Sequence, residues 1–179
     1  YLKYGEALIV AAATAGTDYV DLTGEVPFVR YAIDKVHDVA AASGARIVPS
    51  CGFDSVPSDI TTYALHRKVS DDAAGEMTDT TLVVASFRGG ISGGTIDSMR
   101  VIAEEARNAQ SRRLMLNPQA LSGGPGEVPR VSLSDEPSDL SIINAKKVDP
   151  SLRGTLAPFF MAAHNTRIVR RSNALLDNA

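Results

Sequence analysis

Three short stretches gather the side chains with chemistry to offer. The first, CGFDSVPSDI at residues 51 to 60, sets the chain's one cysteine, Cys51, beside Gly52, Phe53, Asp54, Ser55 and Pro57, directly after the apolar run RIVPS. The second, DLTGE, holds Asp21, Gly24 and Glu25, and the third, RGGISGGT at residues 88 to 95, ends in Gly93, Gly94 and Thr95. A carboxyl or hydroxyl can pass a proton or orient a polar substrate. A thiolate can attack an electrophile, and the free backbone N–H groups that open a helix can hold an anion. Each group also has a plainer reading. Cys51 suits a strand end as a small apolar residue, and no His lies close in sequence to activate it. Asp21 can cap the following helix and Glu25 can favour its N-terminal dipole. The glycines of RGGISGGT fit a close strand-to-helix turn as well as a ligand contact, because no Lys follows them and G-x-G-x-x-G is missing.

These residues need elements to position them, and the apolar spacing supplies a set. Leu2, Leu8, Ile9, Ala12 and Ala15 predict a helix over 2–15, with Gly16 at its C-terminal cap. DYVDLT reads as a short strand, and Phe28, Ala32, Val36, Val39 and Ala40 mark a helix that Gly44 ends. ARIVPS is a β-branched run of the kind found in buried parallel strands. Pro57 suits a first helical turn, with Ser55 as cap and a helix running on to about Val69. DDAAGEMTD reads as a linker, TTLVVASF as the clearest strand, and Ile96 to Ala109 as a helix. Residues 117 to 139 read as irregular apart from VPRVSL, and two helical pieces, Leu156 to Ala163 and Thr166 to Leu176, close the chain. Helix and strand therefore alternate, with crossovers long enough for parallel pairing. In open parallel sheets ligands gather beyond the strands' carboxyl ends, where VDLTGE and SCGFDS both emerge. The fold class expected is α/β. Two parallel strands alone make a poor sheet, so further strands are expected ahead of Tyr1, and the chain is expected to be a piece of a longer protein.

Composition narrows the function classes. With 44% hydrophobic and 22% charged residues in 179, the chain is globular in type. Its net charge of −3 speaks against nucleic acid as the main partner. One Cys and three scattered His (His37, His66, His164) offer neither a disulfide framework nor metal-ligand spacing, so no metal is expected. No apolar run approaches the roughly 20 residues of a membrane span, and no signal peptide opens the sequence; a cytoplasmic address is expected. Residues 1 to 106 hold 8 basic and 15 acidic side chains, while 107 to 179 hold 10 and 6, with Arg112, Arg113, Arg167, Arg170 and Arg171 in two groups. A cationic second half reads as a solvated helix face or as a site for an acidic partner.

Taken together, YGEALIVAAATAGTDYVDLTGE, GARIVPSCGFDSVPSDI and SFRGGISGGTIDS resemble the saccharopine dehydrogenase-like oxidoreductases, in particular the trans-acting enoyl reductase branch. The resemblance fades through Asn117 to Asp149. It implies that residues 1–52 are the late part of a Rossmann-like parallel sheet binding NADP or NAD, and that 53–179 are part of an α/β, mixed-sheet substrate and dimerisation domain, with a homodimer as a possible assembly. It also implies that GFDSVPSD crosses between the two domains where nicotinamide and substrate meet. Asp54 and Ser55 then carry the catalytic role, Asp21, Gly24, Glu25, Cys51, Gly52 and Phe53 face the cofactor, and Gly93, Gly94 and Thr95 form a substrate-side loop. The implied reaction is hydride transfer from NADPH to a carbon–carbon double bond of an acyl chain on a polyketide synthase, with an acyl carrier domain as a partner. The family's glycine-rich dinucleotide fingerprint is absent, so most of the cofactor's grip is expected outside this chain. A non-catalytic acyl- or lipid-binding protein on the same scaffold is the alternative, and a saccharopine enzyme fits the GFDSVPSD turn less well.

Overall fold

A computed structural model describes residues 1–77, 80–86, 88–90, 92–131 and 141–176. The first third forms α1 (Gly5–Thr14), β1 (Tyr19–Val20), α2 (Val26–Ser43), β2 (Ile47–Val48) and α3 (Val56–Asp71). Glycines in the left-handed region end the first two helices as expected: Gly16 follows α1 with φ 66° and Gly44 caps α2 with φ 80°. β1 and β2 pair in parallel, Tyr19 opposite Ile47 and Val20 opposite Val48. Tyr19 turns inward and joins Ile9, Ala13, Phe28, Ala32, Val36 and Ala40 in one core.

α2 is apolar on two sides and joins the two halves of the chain. Phe28, Ala32, Val36 and Ala40, four residues apart, face α1 and the strands. Val26, Val29 and Ile33 face a second core that contains Ala120 and Leu121 and is flanked by Leu114 and Ile168. The remaining elements are α4 (Gly93–Glu105), α5 (Ala109–Leu116), a β3–β4 antiparallel pair (Ile143–Asn144 with Thr155–Leu156), a single 3-10 turn at Ala145–Lys147, and α6 (Ala162–Leu175), which packs along α3.

Several expectations are corrected. The described residues form α/β structure with two-stranded sheets only, and a Rossmann-like parallel sheet is not evident among them. TTLVVASF forms no strand over residues 80–86, with Phe87 outside the described residues; Leu82 and Val84 stand exposed, since a β-branched run gains strand structure only against a neighbour to pair with. The long helix expected to Ala109 is two helices, because the Asn108 side chain accepts from the Gln110 and Ser111 amides and starts a new one. Leu156 to Ala163 is not a helix: Leu156 lies in β4 and α6 begins at Ala162. Residues 128–131 of VPRVSL are irregular, and its last two residues lie outside the described ones.

The cationic second half is neither a solvated face nor an open patch at two of the five arginines in its two groups. Arg167, 5% exposed, donates to the carbonyls of Asn117, Met115 and Ala163, and Arg171 donates to those of Leu121 and Gly123. Backbone carbonyls can satisfy a guanidinium's five donors as well as water can, which makes such a residue a clamp on an irregular segment.

Candidate functional site: the junction beyond β1 and β2

Because β1 and β2 run in parallel, their carboxyl ends emerge side by side, and the Cys51 amide donates to the Asp21 carbonyl at 2.7 Å. The Asp21 carboxylate is buried and fully engaged. Its Oδ1 accepts from the amides of Thr23 (2.9 Å) and Ser50 (3.0 Å), and its Oδ2 accepts from the Tyr19 hydroxyl (2.9 Å). Burial, and then this carboxylate, push the Tyr19 phenol above its ordinary range.

Ser50 sits at the centre of the junction with φ 62°, a conformation that costs a non-glycine residue on the order of 1 kcal/mol or more and persists only where the surroundings fix it. Asp21 fixes its amide, and its Oγ donates to the Thr23 carbonyl at 2.8 Å. The hydroxyl's only proton is thereby used, so His164 Nε2, 3.1 Å away on α6, must donate to Ser50 Oγ. His164 therefore carries a proton on Nε2. Its Nδ1 is buried with no hydrogen-bond partner among the described residues. Burial, then the charge of Arg167, lower its pKa to about 4.

The neighbouring Asn165 closes the turn from the other side. Its Oδ1 accepts from Ser55 Oγ (3.0 Å), and its Nδ2 donates to the Asp54 carbonyl (2.6 Å) and to Ser58 Oγ (3.0 Å). Ser55 occupies the N-cap position of α3 without a side-chain capping hydrogen bond, and its hydroxyl points to Asn165 instead. One helical turn on, Ser172 donates to Asp59 Oδ2 at 2.9 Å. Burial raises the Asp59 pKa, a shift the Ser172 contact offsets only in part. A carboxyl whose folded pKa is raised stabilises below its ordinary range, and that stability is lost as pH rises through the folded value. Asp59→Asn keeps an acceptor for Ser172 and carries no charge, so it is expected to raise the melting temperature at neutral pH by a few degrees, with the gain vanishing near pH 4; melting curves at both pH values check this.

The predicted residues are thus sorted. Asp21, Cys51, Gly52, Asp54 and Ser55 meet at one junction. Asp54 folds back over Gly52, where a Cβ would lie 2.2 Å from its Oδ1. Phe53, 83% exposed, projects from the turn, and exposed Leu22 lies beside Gly52. Cys51 donates its thiol proton to the Val48 carbonyl, and burial raises its pKa, the opposite of an activated nucleophile. Gly24 lies beneath Met161. Glu25 is fully buried: its carboxylate accepts from the Leu2 amide and from Ser98 Oγ on α4, tying the segment ahead of α1 to the start of α2 and to α4. Gly93 and Gly94 are exposed, and Thr95 bonds within the Ser92 cap of α4, so Ser98 is the hydrogen-bonded tie from that helix to the junction region.

Four residues escaped the sequence reading: Thr23, Ser50, His164 and Asn165. The first two look like ordinary polar strand ends. The last two fall where the sequence suggested a break between two helices, and the structure runs one helix from Ala162 through them. Ser50 and His164 have the spacing of a nucleophile and its base, yet they do not fit that chemistry. The hydroxyl is buried and engaged, no acid holds His164 Nδ1, and the amide after Ser50 is bound to Asp21. Among the described residues no group of three His, Cys, Asp or Glu is placed to hold a metal.

Over 99% of its length the chain is 51% identical to a Mycobacterium tuberculosis protein that carries, with a provisional qualifier, the name trans-acting enoyl reductase. It is 43% identical over 98% of its length to proteins named trans-acting enoyl reductase from Mycobacterium bovis and Mycobacterium leprae. The chain is a relative of trans-acting enoyl reductases. It spans about 42% of the length of these relatives. No family model and no solved structure matches it. The similarity bears out the enoyl reductase part of the expected resemblance and leaves the saccharopine dehydrogenase-like part without support. No helix among the described residues is long and apolar enough to cross a membrane.

Proposed function

We propose that the whole protein to which this chain belongs is an NAD(P)H-dependent oxidoreductase that saturates a carbon–carbon double bond of an acyl intermediate. The observation that carries this reading is the 51% identity over 99% of the chain to a protein named, with a provisional qualifier, trans-acting enoyl reductase. A reduced nicotinamide, when bound, supplies a hydride to one carbon of the double bond, and a proton completes the other. The residues of this chain fit a wall of such a site better than its grip. Asp21 and Glu25 have their oxygens filled by internal donors, while Leu22, Phe53 and part of Cys51 face outward beside the turn. An apolar flank suits an uncharged nicotinamide face or an acyl chain. Pyrophosphate contacts belong, on this reading, to parts of the protein outside the chain. Asp54 is the polar side chain of the turn that stands partly open, and it is assigned the proton-handling role; Ser55 is assigned the support of that turn.

The observation that favours a second reading, a non-catalytic acyl-binding protein, is the engagement of the Ser55 hydroxyl at 1% exposure. Consumption of NADPH by the full-length protein with crotonyl-CoA separates the two. Turnover that falls at least tenfold in Asp54→Asn is expected; thioester binding with no NADPH oxidation in the wild type would leave the second reading standing. The 179-residue chain alone is expected to show no micromolar binding in a fluorescence titration with NADPH.

A further inference from the structure

We propose that His164 and Asn165 of α6 are positioning residues that hold the Cys51–Ser55 turn in register with the ends of β1 and β2. Sequence offers no hint of this, since the pair lies 107 to 114 residues from its partners. The geometry is specific. His164 reaches Ser50 at the start of the turn, and Asn165 reaches Asp54, Ser55 and Ser58 at its end, so two adjacent side chains grip both sides of one short segment. Both are more than nine-tenths buried, at 6% and 4% exposure. The left-handed backbone at Ser50 requires such a clamp, because a serine there relaxes toward extended backbone once its partners are removed. Asn165 spends both amide hydrogens and its carbonyl on the turn, a set of contacts that no isosteric apolar residue can replace.

The kinetic part of the test rests on the proposed reductase function, and the structural part does not. In the full-length protein, His164→Leu and Asn165→Leu are expected to speed amide hydrogen exchange across residues 50–58 at least tenfold, while amides of α1 and α2 keep wild-type rates. His164→Gln, whose amide can still donate to Ser50 Oγ, is expected to return exchange to within threefold of wild type. Ser50→Ala serves as the milder variant should the Leu variants fail to fold, and it is expected to loosen the same nine residues. With NADPH and crotonyl-CoA as probes, the Leu variants are expected to lose at least tenfold in kcat with KM changed less than threefold, the signature of a misplaced reacting geometry rather than lost binding. Unchanged exchange at 50–58, exchange raised equally in α1 and α2, or faster exchange with kcat untouched would each overturn the positioning role. If the wild-type protein oxidises no NADPH, the reductase reading falls, and the exchange data alone decide the clamp.

Discussion

Between pH 6.5 and 4 the wild-type chain is expected to lose about 3 kcal/mol of stability more than a His164→Gln variant does. The sign follows from where the protons bind. Unfolded, the imidazole titrates near its ordinary 6.5; folded, its pKa is lowered to about 4, first by burial and then by the Arg167 charge. Over that interval the unfolded state holds the extra proton, so stability falls as pH falls, at about 1.4 kcal/mol per pH unit, and levels off below the folded value. The surroundings give protonation little relief. Ser50 Oγ faces Nε2, the Thr23 carbonyl favours the imidazolium but is outweighed by burial and Arg167, and the Asp21 carboxylate is already held by three donors. Gln retains the donor to Ser50 and cannot take up the proton. Other groups move in acid too: Arg46 holds the Asp18 carboxyl low, and at Asp34 burial is outweighed by Arg30 and the Gly126 amide. These act equally in both proteins and cancel in the difference. Urea unfolding at stepwise pH checks it, and parallel curves for the two proteins would show that His164 is not held neutral in the fold.

How much of this could be read from the sequence depends on the distance over which each feature is decided. α1, α2 and α3 follow from apolar spacing and glycine stops within one helix length, and the parallel pairing follows from the crossover length between DYVDLT and ARIVPS. The meeting of Asp21 with Cys51 and Ser55 was legible for the same reason, since two parallel strands must end together. Features that depend on remote closure were not legible. Periodicity carries no term for a histidine more than a hundred residues away, so the contact that fixes the tautomer of His164 and the backbone of Ser50 left no trace. TTLVVASF shows the converse, a local preference with no partner to realise it. The arginines misled for a chemical reason. A guanidinium reads as a surface group, yet in the second core it is satisfied by carbonyls that the glycine-rich segment cannot pair for itself.

The larger consequence of that chemistry is expected at Arg30. It is 4% exposed in the second turn of α2, and its guanidinium donates to the carbonyls of Ala120, Gly123, Gly124 and Glu127 while pairing with Asp34 at 2.5 Å. Residues 120 to 127 have no ladder of their own, so this side chain, together with Arg171, stands in for hydrogen bonds a helix or strand would supply. Arg30→Met keeps most of the volume and deletes every donor. It takes the guanidinium from the carbonyls of Ala120, Gly124 and Glu127 and from Asp34, which keeps the Gly126 amide, and a loss of about 3 kcal/mol is expected from breaking such a charged, partly buried network at one partner. Arg30→Lys retains the charge but has three donors from a single nitrogen against the flat fork, so it is expected to recover less than half of the loss. Limited proteolysis should cut the Met variant within 120–127 before it cuts α1, because the second core loses its boundary while the first, built on Phe28 and Val36, keeps its own contacts. The two variants also report on Arg171, whose pKa is lowered by burial and then by Arg30, with which it shares the Gly123 carbonyl. Once Arg30 is gone, Arg171 is relieved of that residue's like charge and no longer shares the Gly123 carbonyl with it. Its own removal is then expected to cost more in the Arg30→Met background than in the wild type, a coupling a double-mutant cycle measures directly. Additive losses would mean that the two guanidiniums hold the segment independently.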